Sequence, residues 1–562
     1  MRLALAGTAV SLASVGADSG RYNLALGLLE AYVRERRDDV AITRTELPIS
    51  LDEPSLPAAT AEQILASDPE VIGISSACWD LAAFEDVIGD LRRRSPSVQI
   101  VLGGPSATFS AQDVMARTDG IDVAVLGDGE ETLLELLRVG PKRLADVPGL
   151  MYRDGDALRL TAPRPPVDLG AVPSPYLTGT LTPPRGNLML ECSRGCAFRC
   201  KYCAWKNYLG ALRHVPADMV RRELAWARER DYWHAFILDS AINFDTKRMR
   251  ALTDALRAEP AAAKPAFSYF ISHTHFDDEQ AACLDGIPTH EVYVGLESVS
   301  PRALKAVGRR PLDRVAFERV LDGLGRVGRV VVSIILGIPG DTLDGFRETV
   351  EYVTRLSDDS GGRRIAAVRV FWMMVPPGTF FAERRAELGM RIAARGAPYM
   401  LGCESFPAED VAEAFRFLET HPRRSLLLYD DASPARHLPG LDGPGPRAQA
   451  RSARGRDAVT SEHELTLDGL RALLPTLEAG RTLPGGWKVE ELALSEGRAA
   501  VRVRSGGRAV TIQFRRRSEG GPHFVRTKTT DILSVSRGGG AVEPGVAAVM
   551  QWLAAEIRKS ET

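Results

Sequence analysis

Twice along this chain, short runs rich in Val and Ile alternate with amphipathic helical stretches, and a proline-dense segment separates the two series. This alternation limits the fold more than any other feature. Strands that take turns with helices build parallel sheets whose faces the helices cover. In the first series, residues 3–6, 71–75, 98–102 and 123–126 read as strands. Residues 22–37, with Leu24, Leu28, Leu29 and Tyr32 on one face, read as a helix, as do 81–94 and 132–138. Residues 1–145 are therefore expected to form an α/β, doubly wound, Rossmann-like domain.

Residues 146–185 carry eight prolines (148, 163, 165, 166, 173, 175, 183 and 184). Apart from a hairpin turning at Asp154-Gly155, such density predicts an extended linker. The second series places strands at 188–191, 235–238, 267–271, 292–295, 330–336 and 368–373. Six strands suit a partial (β/α)6 TIM-type barrel over 186–429 better than a full eight-stranded one. Residues 430–463 read as a flexible linker rich in Pro, Gly, Ala and Arg. A small α+β domain is expected over 464–562, with strands at 488–494, 499–504, 509–515 and 524–529 and a helix at 546–557.

Composition excludes several classes. Lys plus Arg (71) nearly cancels Asp plus Glu (73), so no global field recruits nucleic acid or an anionic membrane. The most apolar run, 330–338, is about half the length a bilayer crossing needs. The apolar stretch after Arg2 is diluted by Thr8, Ser11 and Ser14 and reads as an opening strand rather than a signal peptide. Seven cysteines are too few for a disulfide framework, and four of them lie between 192 and 203. That clustering points to a metal or redox site in a reducing cytoplasm.

The chemistry centres on Cys196-Ala-Phe-Arg-Cys200-Lys-Tyr-Cys203, shortly after an expected strand. Three thiolates on one loop can converge on one centre. A structural zinc ion wants a fourth ligand, Cys192 or a distant group. A cubane iron–sulfur cluster held by three cysteines leaves one iron open. Both remain open on spacing alone. The loop, with Gly195 before it and Tyr202 within it, resembles the signature of the radical S-adenosylmethionine (SAM) superfamily. Further segments are similar to that superfamily's strand motifs, in the same order. They are Ile237-Leu-Asp-Ser-Ala-Ile-Asn-Phe-Asp245, Val294-Gly-Leu-Glu-Ser298, Ile335-Leu-Gly-Ile-Pro-Gly-Asp-Thr342 and Pro376-Pro-Gly-Thr379. The resemblance implies a 4Fe–4S cluster on Cys196, Cys200 and Cys203, with Tyr202, Asp239, Glu297 and Ser298 around the SAM.

In the first domain, Gly73-Ile-Ser-Ser-Ala-Cys-Trp79, Val101-Leu-Gly-Gly-Pro105 and Val125-Leu-Gly-Asp-Gly-Glu-Glu-Thr132 end three expected strands. Small residues there let a large ligand approach the backbone at the sheet's carboxyl edge. These segments resemble the cobalamin-binding domain that precedes the barrel in one large radical SAM subfamily. The resemblance implies cobalamin contacts at Ser75, Ser76, Gly103, Gly104, Gly127 and Glu130. One departure is plain: no His occurs before His214, so the first domain supplies no imidazole below cobalt. The loop with Cys78 and Trp79 is a candidate for that face, a packed core Trp being the favoured reading.

The resemblance as a whole implies a cobalamin-dependent radical SAM enzyme. Its expected reaction is C-methylation of an unactivated carbon in a small-molecule or peptide natural-product precursor, fed by an external electron donor such as a flavodoxin or ferredoxin. Cyclisation, ring contraction, epimerisation or polar methyl transfer are the alternatives. A cobalamin sensor is disfavoured, because it needs no open iron. The catalytic residues are not legible. Cys283 reads as a buried core residue, Cys403 as an idle thiol and the run 515–517 as a solvated strand end; His273 and His275, after an expected strand, are read as structural in preference to contacts with a cofactor or substrate in the barrel interior.

Overall fold

The computed structural model describes residues 1–9, 22–47, 57–183, 188–205, 210–230, 232–257, 265–359, 365–394 and 396–429, together with four strands between 482 and 515. The chain divides into two compact units, Met1–Leu441 and Asp442–Thr562.

The first sheet has seven strands: β1 (Arg2–Thr8), β2 (Ala41–Leu47), β3 (Val71–Ser75), β4 (Gln99–Gly103), β5 (Val123–Val125), β6 (Leu150–Asp154) and β7 (Ala157–Leu160). Their order is β2-β1-β3-β4-β5-β6-β7. The first five run parallel, and β6 and β7 close the edge as an antiparallel hairpin. Helices α1 (Leu24–Arg36), α2 (Pro57–Leu65), α3 (Leu81–Arg94), α4 (Pro105–Arg117) and α5 (Glu130–Val139) accompany them. One detail extends the sequence reading and another departs from it. The hairpin, turning at Gly155 with φ +58°, adds to this sheet, so regular structure continues into the segment read as a linker. Strand β2 was not legible because it is an edge strand that buries only Ile42, Thr45 and Leu47.

Helix α1 explains how the first sheet meets the barrel. Leu26 and Val33 pack on β1 and its neighbours, whereas Leu24 and Tyr32 join the barrel's core cluster. The expected single face is thus two faces, and Leu28 and Leu29 are only half-buried. A Cβ at Gly27 would meet Leu181, a residue of the proline-rich connector, at 2.8 Å, so Gly27 lets that connector lie against the helix.

The second sheet is parallel throughout, in the order β18-β15-β14-β13-β12-β11-β8. Its members are β8 (Leu188–Leu190), β11 (His234–Ile237), β12 (Ala266–Ile271), β13 (Thr289–Glu297), β14 (Arg329–Leu336), β15 (Ala367–Trp372) and β18 (Leu427–Leu428). Four two- or three-residue strands lie between them: β9 (Ser193–Arg194) pairs with β10 (Arg213–His214), and β16 (Arg391–Ile392) with β17 (Met400–Gly402). This is a partial barrel with one strand more than expected, β18 being too short to leave a hydrophobic run. Val292, Val294, Val330, Val332, Val368 and Val370 face the outer helices, while Phe236, Tyr293, Val331 and Ala367 fill the lumen. Among the described residues no helix is long and apolar enough to cross a membrane.

In the second unit, β19 (Thr482–Leu483), β20 (Trp487–Ser495), β21 (Arg498–Ser505) and β22 (Arg508–Arg515) form an antiparallel meander. The strand expected at 524–529 and the helix at 546–557 lie outside the described residues.

One buried acid in the barrel makes a stability prediction. Glu223, on the helix Ala217–Arg228, bonds Ser174 in a small cavity lined by Leu24, Leu28, Tyr176 and Glu191. Burial pushes its carboxyl from 4.5 up to about 7. The folded chain therefore favours the protonated acid. The contribution of this residue is intact below about 4.5 and is lost as pH rises through about 7. Urea denaturation of Glu223→Gln at about pH 5 and about pH 8 should show the variant gaining about 1–3 kcal/mol on the wild type at the higher pH. Equal differences at both pH values would show that Glu223 does not titrate with folding.

Candidate cofactor sites

Strands β1, β3 and β4 end in register, Gly7 beside Ser75 and Ser75 beside Gly103, which sets the sheet's carboxyl edge. Behind it, the Ser76 N–H donates to the Gly103 carbonyl (3.1 Å) and the Ser76 hydroxyl to Asp80 (2.9 Å). Thr8 donates to the same Asp80 carboxylate at 2.6 Å. Burial raises the Asp80 carboxyl, and these donors oppose the rise. Ser76 is thereby committed to the loop, whereas Ser75, Gly103 and Gly127 line the partly open edge. A Cβ at Gly127 would meet nothing within 4 Å, and one at Gly103 only the Ile74 carbonyl at 3.8 Å. This clear rim fits a bulky ligand held by backbone contact. Gly104 has another duty. Its φ is +84° and a Cβ would lie 2.6 Å from the Ser76 carbonyl, so it shapes the loop itself.

Trp79 is 37% exposed at this edge, so the expectation of a packed core Trp is corrected. Beside it, burial lifts the Cys78 thiol to about 12, leaving it protonated at neutral pH.

Glu130 does not reach the sheet edge as an isolated ligand. Its Oε1 lies 2.6 Å from Nη2 of Arg194, a barrel residue two positions before Cys196. Arg194 is 6% exposed and also meets Asp128 (3.3 Å) and Glu191 (2.9 Å). Arg213, paired with Arg194 across β9 and β10, adds a second cation to Asp128 at 2.9 Å. Arg194 and its carboxylates thus bind the 127–130 turn of the first domain to the strand that enters the cysteine loop.

That loop is held at several points. Gly195 has φ +98°, and a Cβ there would sit 2.5 Å from the Ala211 carbonyl, so only glycine makes the entry. Ser240 donates to the Gly195 carbonyl (2.9 Å), and the Lys201 N–H donates to Val307 (3.1 Å). Cys196 is buried; Cys200 and Cys203 are half-buried. Burial raises the Cys200 and Cys203 thiols, the latter to about 11, and the neighbouring Cys196 adds to both rises. Arg309 bonds Cys200 and opposes the rise there. The zinc alternative fails on Cys192. That residue is packed in the apolar core with its thiol raised by burial, so it offers no fourth ligand. Among the described residues no three His, Cys, Asp or Glu side chains stand in metal-holding geometry; it is the chemistry of the donor set, three thiols within eight residues of one braced loop, that fits a cluster with one open iron.

Asp239 is 4% exposed and already satisfied: Oδ1 accepts the N–H groups of Cys192 and Ser193 at 2.9 Å each, and Oδ2 accepts the Ser193 hydroxyl at 2.5 Å. It braces the loop's entry strand rather than reaching outward. Ser298 is likewise internal, donating to Asp341 at 3.1 Å. Glu297 sits where a bulge breaks the β13–β14 register, with φ +67°. Its Oε1 accepts from the Tyr202 hydroxyl (2.8 Å) and pairs with Arg309 Nη2 (2.7 Å). Arg309 also donates to the Gly295 carbonyl at 3.0 Å. Sequence reasoning missed Arg309, which follows the fourth-strand motif by a short helix and carries no motif signal of its own.

His273 and His275 lie just beyond β12. Burial and Arg309 bring the His273 imidazole down to about 4, so it is neutral. His275 is exposed, 5.3 Å from the ring of Phe198 on the cysteine loop. Cys283 is buried, as the sequence suggested, and Cys403 is buried too.

The two halves match known families in the same order. Residues 11–137 match the B12 binding domain, and residues 190–353 match the radical SAM superfamily. The chain therefore carries a B12-binding domain followed by a radical SAM domain, a pairing that goes with cobalamin, an iron–sulfur cluster and SAM as cofactors. It is similar to an uncharacterized methyltransferase of Pyrococcus horikoshii, 27% identical over 72% of this chain and 89% of that protein. It is also similar to the 2-(S-pantetheinyl)-carbapenam-3-carboxylate methyltransferase of Streptantibioticus cattleyicolor, 30% identical over 58% of this chain and 50% of that protein. The chain thus spans about half the length of the second relative. The fold is shared with TsrM of Kitasatospora setae, a radical SAM methyltransferase seen with cobalamin and a 4Fe–4S cluster (TM-score 0.59, 17% identity, 80% of this chain and 99% of that one).

Two predictions follow from the two domains' edges. Gly103→Val should weaken cobalamin binding with little loss of stability, whereas Gly104→Val should lower the melting temperature of the apo chain, measured by calorimetry. The reverse pattern would remove Gly103 from the rim. Arg194→Met leaves the buried Glu130 carboxylate without its partner and should cost about 3–5 kcal/mol in denaturant unfolding; a cost under about 1 kcal/mol would mean that the carboxylate finds water instead.

Proposed function

We propose that this protein is a cobalamin-dependent radical SAM C-methyltransferase acting on an unactivated carbon of a small-molecule or peptide natural-product precursor. The observation that carries the reading is the Arg194 junction. It ties a clear B12-type rim to a three-thiol loop within one compact unit. When bound, the cofactors would supply a carbon radical and a transferable methyl group. The chain's own part is to hold Cys196, Cys200 and Cys203 as ligands and to aim Tyr202, Glu297 and Arg309 at the SAM. Asp239 and Ser298 brace that shell from behind, while Ser75, Gly103 and Gly127 admit cobalamin. Ser76, Gly104 and Glu130 keep the rim in shape. The first domain has no His, so it would offer cobalamin no imidazole. The division proposed is a cobalamin module at 1–145, a barrel at 186–429 and a small module at 464–562, joined by linkers at 146–185 and 430–463. A cytoplasmic setting and a flavodoxin- or ferredoxin-type donor accord with three free loop thiols.

Anaerobic reconstitution tests the reading. Wild type should show the charge-transfer absorbance of a cluster and form both 5′-deoxyadenosine and S-adenosylhomocysteine. Cys200→Ala should lose absorbance and both products, while Cys283→Ala keeps all three. S-adenosylhomocysteine without 5′-deoxyadenosine would replace the radical route with a polar one. 5′-Deoxyadenosine alone would point to cyclisation, ring contraction or epimerisation.

A further inference from the structure

The barrel lumen contains a cation that neither cofactor site uses. Along β15, Val368, Val370 and Trp372 pack outward into the helix-facing core, and Ala367 packs inward with Phe236, Tyr293 and Val331. Strand alternation therefore turns Arg369 and Phe371 to the lumen with Ala367. The guanidinium of Arg369 confirms this placement, lying 5.3 Å from the Tyr293 ring centroid and 5.8 Å from that of Phe371.

The neighbouring acids are already engaged. Glu291 accepts the Tyr293 hydroxyl at 2.5 Å and faces Arg329 at 3.8 Å. Glu297 is held by Tyr202 and Arg309. Among the described residues Arg369 has the two ring contacts and no ion pair. A partly buried guanidinium on an aromatic base, with its fork of donors unspent, suits a planar or tetrahedral oxyanion. Its neighbours across the sheet are small, although the Glu297 carboxylate stands 2.7 Å from where a Gly295 Cβ would be. Gly295, Ser333 and Arg369 share one layer of the sheet, so the two positions beside the cation across β14 and β13 are small. One layer toward the carboxyl end, Phe371 leaves 45% of its surface exposed although it is a large apolar side chain within the lumen.

We propose that Arg369 and Phe371 form the substrate subsite: the substrate is an organic anion, a carboxylate or a phosphate ester, whose charged group docks on Arg369 and whose apolar body lies against Phe371. This deepens, and rests on, the reading of the barrel mouth as the site of methyl transfer. It makes Arg369 a specificity residue with no part in cofactor binding.

Binding to the reconstituted holoprotein, followed by calorimetry, tests it with benzoate, phenyl phosphate and benzyl alcohol as probes. At least one of the two anions should bind about tenfold or more tightly than benzyl alcohol, and the tighter one identifies the source of the charge. Arg369→Gln should abolish that preference while leaving benzyl alcohol and SAM affinity unchanged. Arg369→Lys should restore part of it, and Phe371→Ala should weaken all three probes. Wild-type protein that binds neither anion better than benzyl alcohol overturns the proposal without any variant. So does an Arg369→Gln protein that keeps the preference, or one that loses SAM affinity instead. By-product analysis reads the methyl-transfer reaction separately, so failure of the subsite and failure of the methyl-transfer reading are told apart.

Discussion

Arg194 is the point on which the rest of this molecule turns. A guanidinium removed from water is tolerable only when carboxylates surround it, and Asp128, Glu130 and Glu191 do so. Two of these acids come from the first domain and one from the barrel. The value of such a cluster lies in orientation more than in net stability, because hydrophobic replacements of buried ion pairs are often as stable. Here the orientation matters twice over. The 127–130 turn that closes the first sheet's edge and the strand that opens the cysteine loop are held by the same side chain.

The barrel's mouth uses a different device. Backbone irregularity is concentrated where side chains must turn inward: the Gly195 entry and the bulge that gives Glu297 its positive φ. Such strained positions persist only where the surroundings over-determine them. Tyr202 and Arg309 supply that constraint by converging on one carboxylate oxygen. Lower in the lumen the polar groups are paired, His234 with Ser268 and Glu291 with Tyr293, whereas among the described residues Arg369 near the mouth meets no acid.

Several tempting residues acquired other duties. Asp239, Ser298 and Ser76 stand in the right motifs, yet their polar atoms are consumed by neighbouring backbone and side chains. A motif specifies that an acid or hydroxyl is needed at a strand's end. It does not say whether that group faces a ligand or braces the loop that does.

Local pattern determined a great deal by itself. The strands of both series, the hairpin turn at Gly155, the cysteine spacing and the absence of histidine from the first domain are properties of neighbouring residues, so they were legible without coordinates. What tertiary structure alone decided are the relations between distant residues. Strands β2 and β18 exist because an adjacent strand offers them a ladder, not because their sequences demand one. Arg194 meets Glu130, Arg309 meets Glu297, and Arg369 meets no acid among the described residues, because packing brings together or separates groups that lie far apart in the chain. Burial then sets the energetic value of each meeting, and burial is a property of the fold, not of the residue.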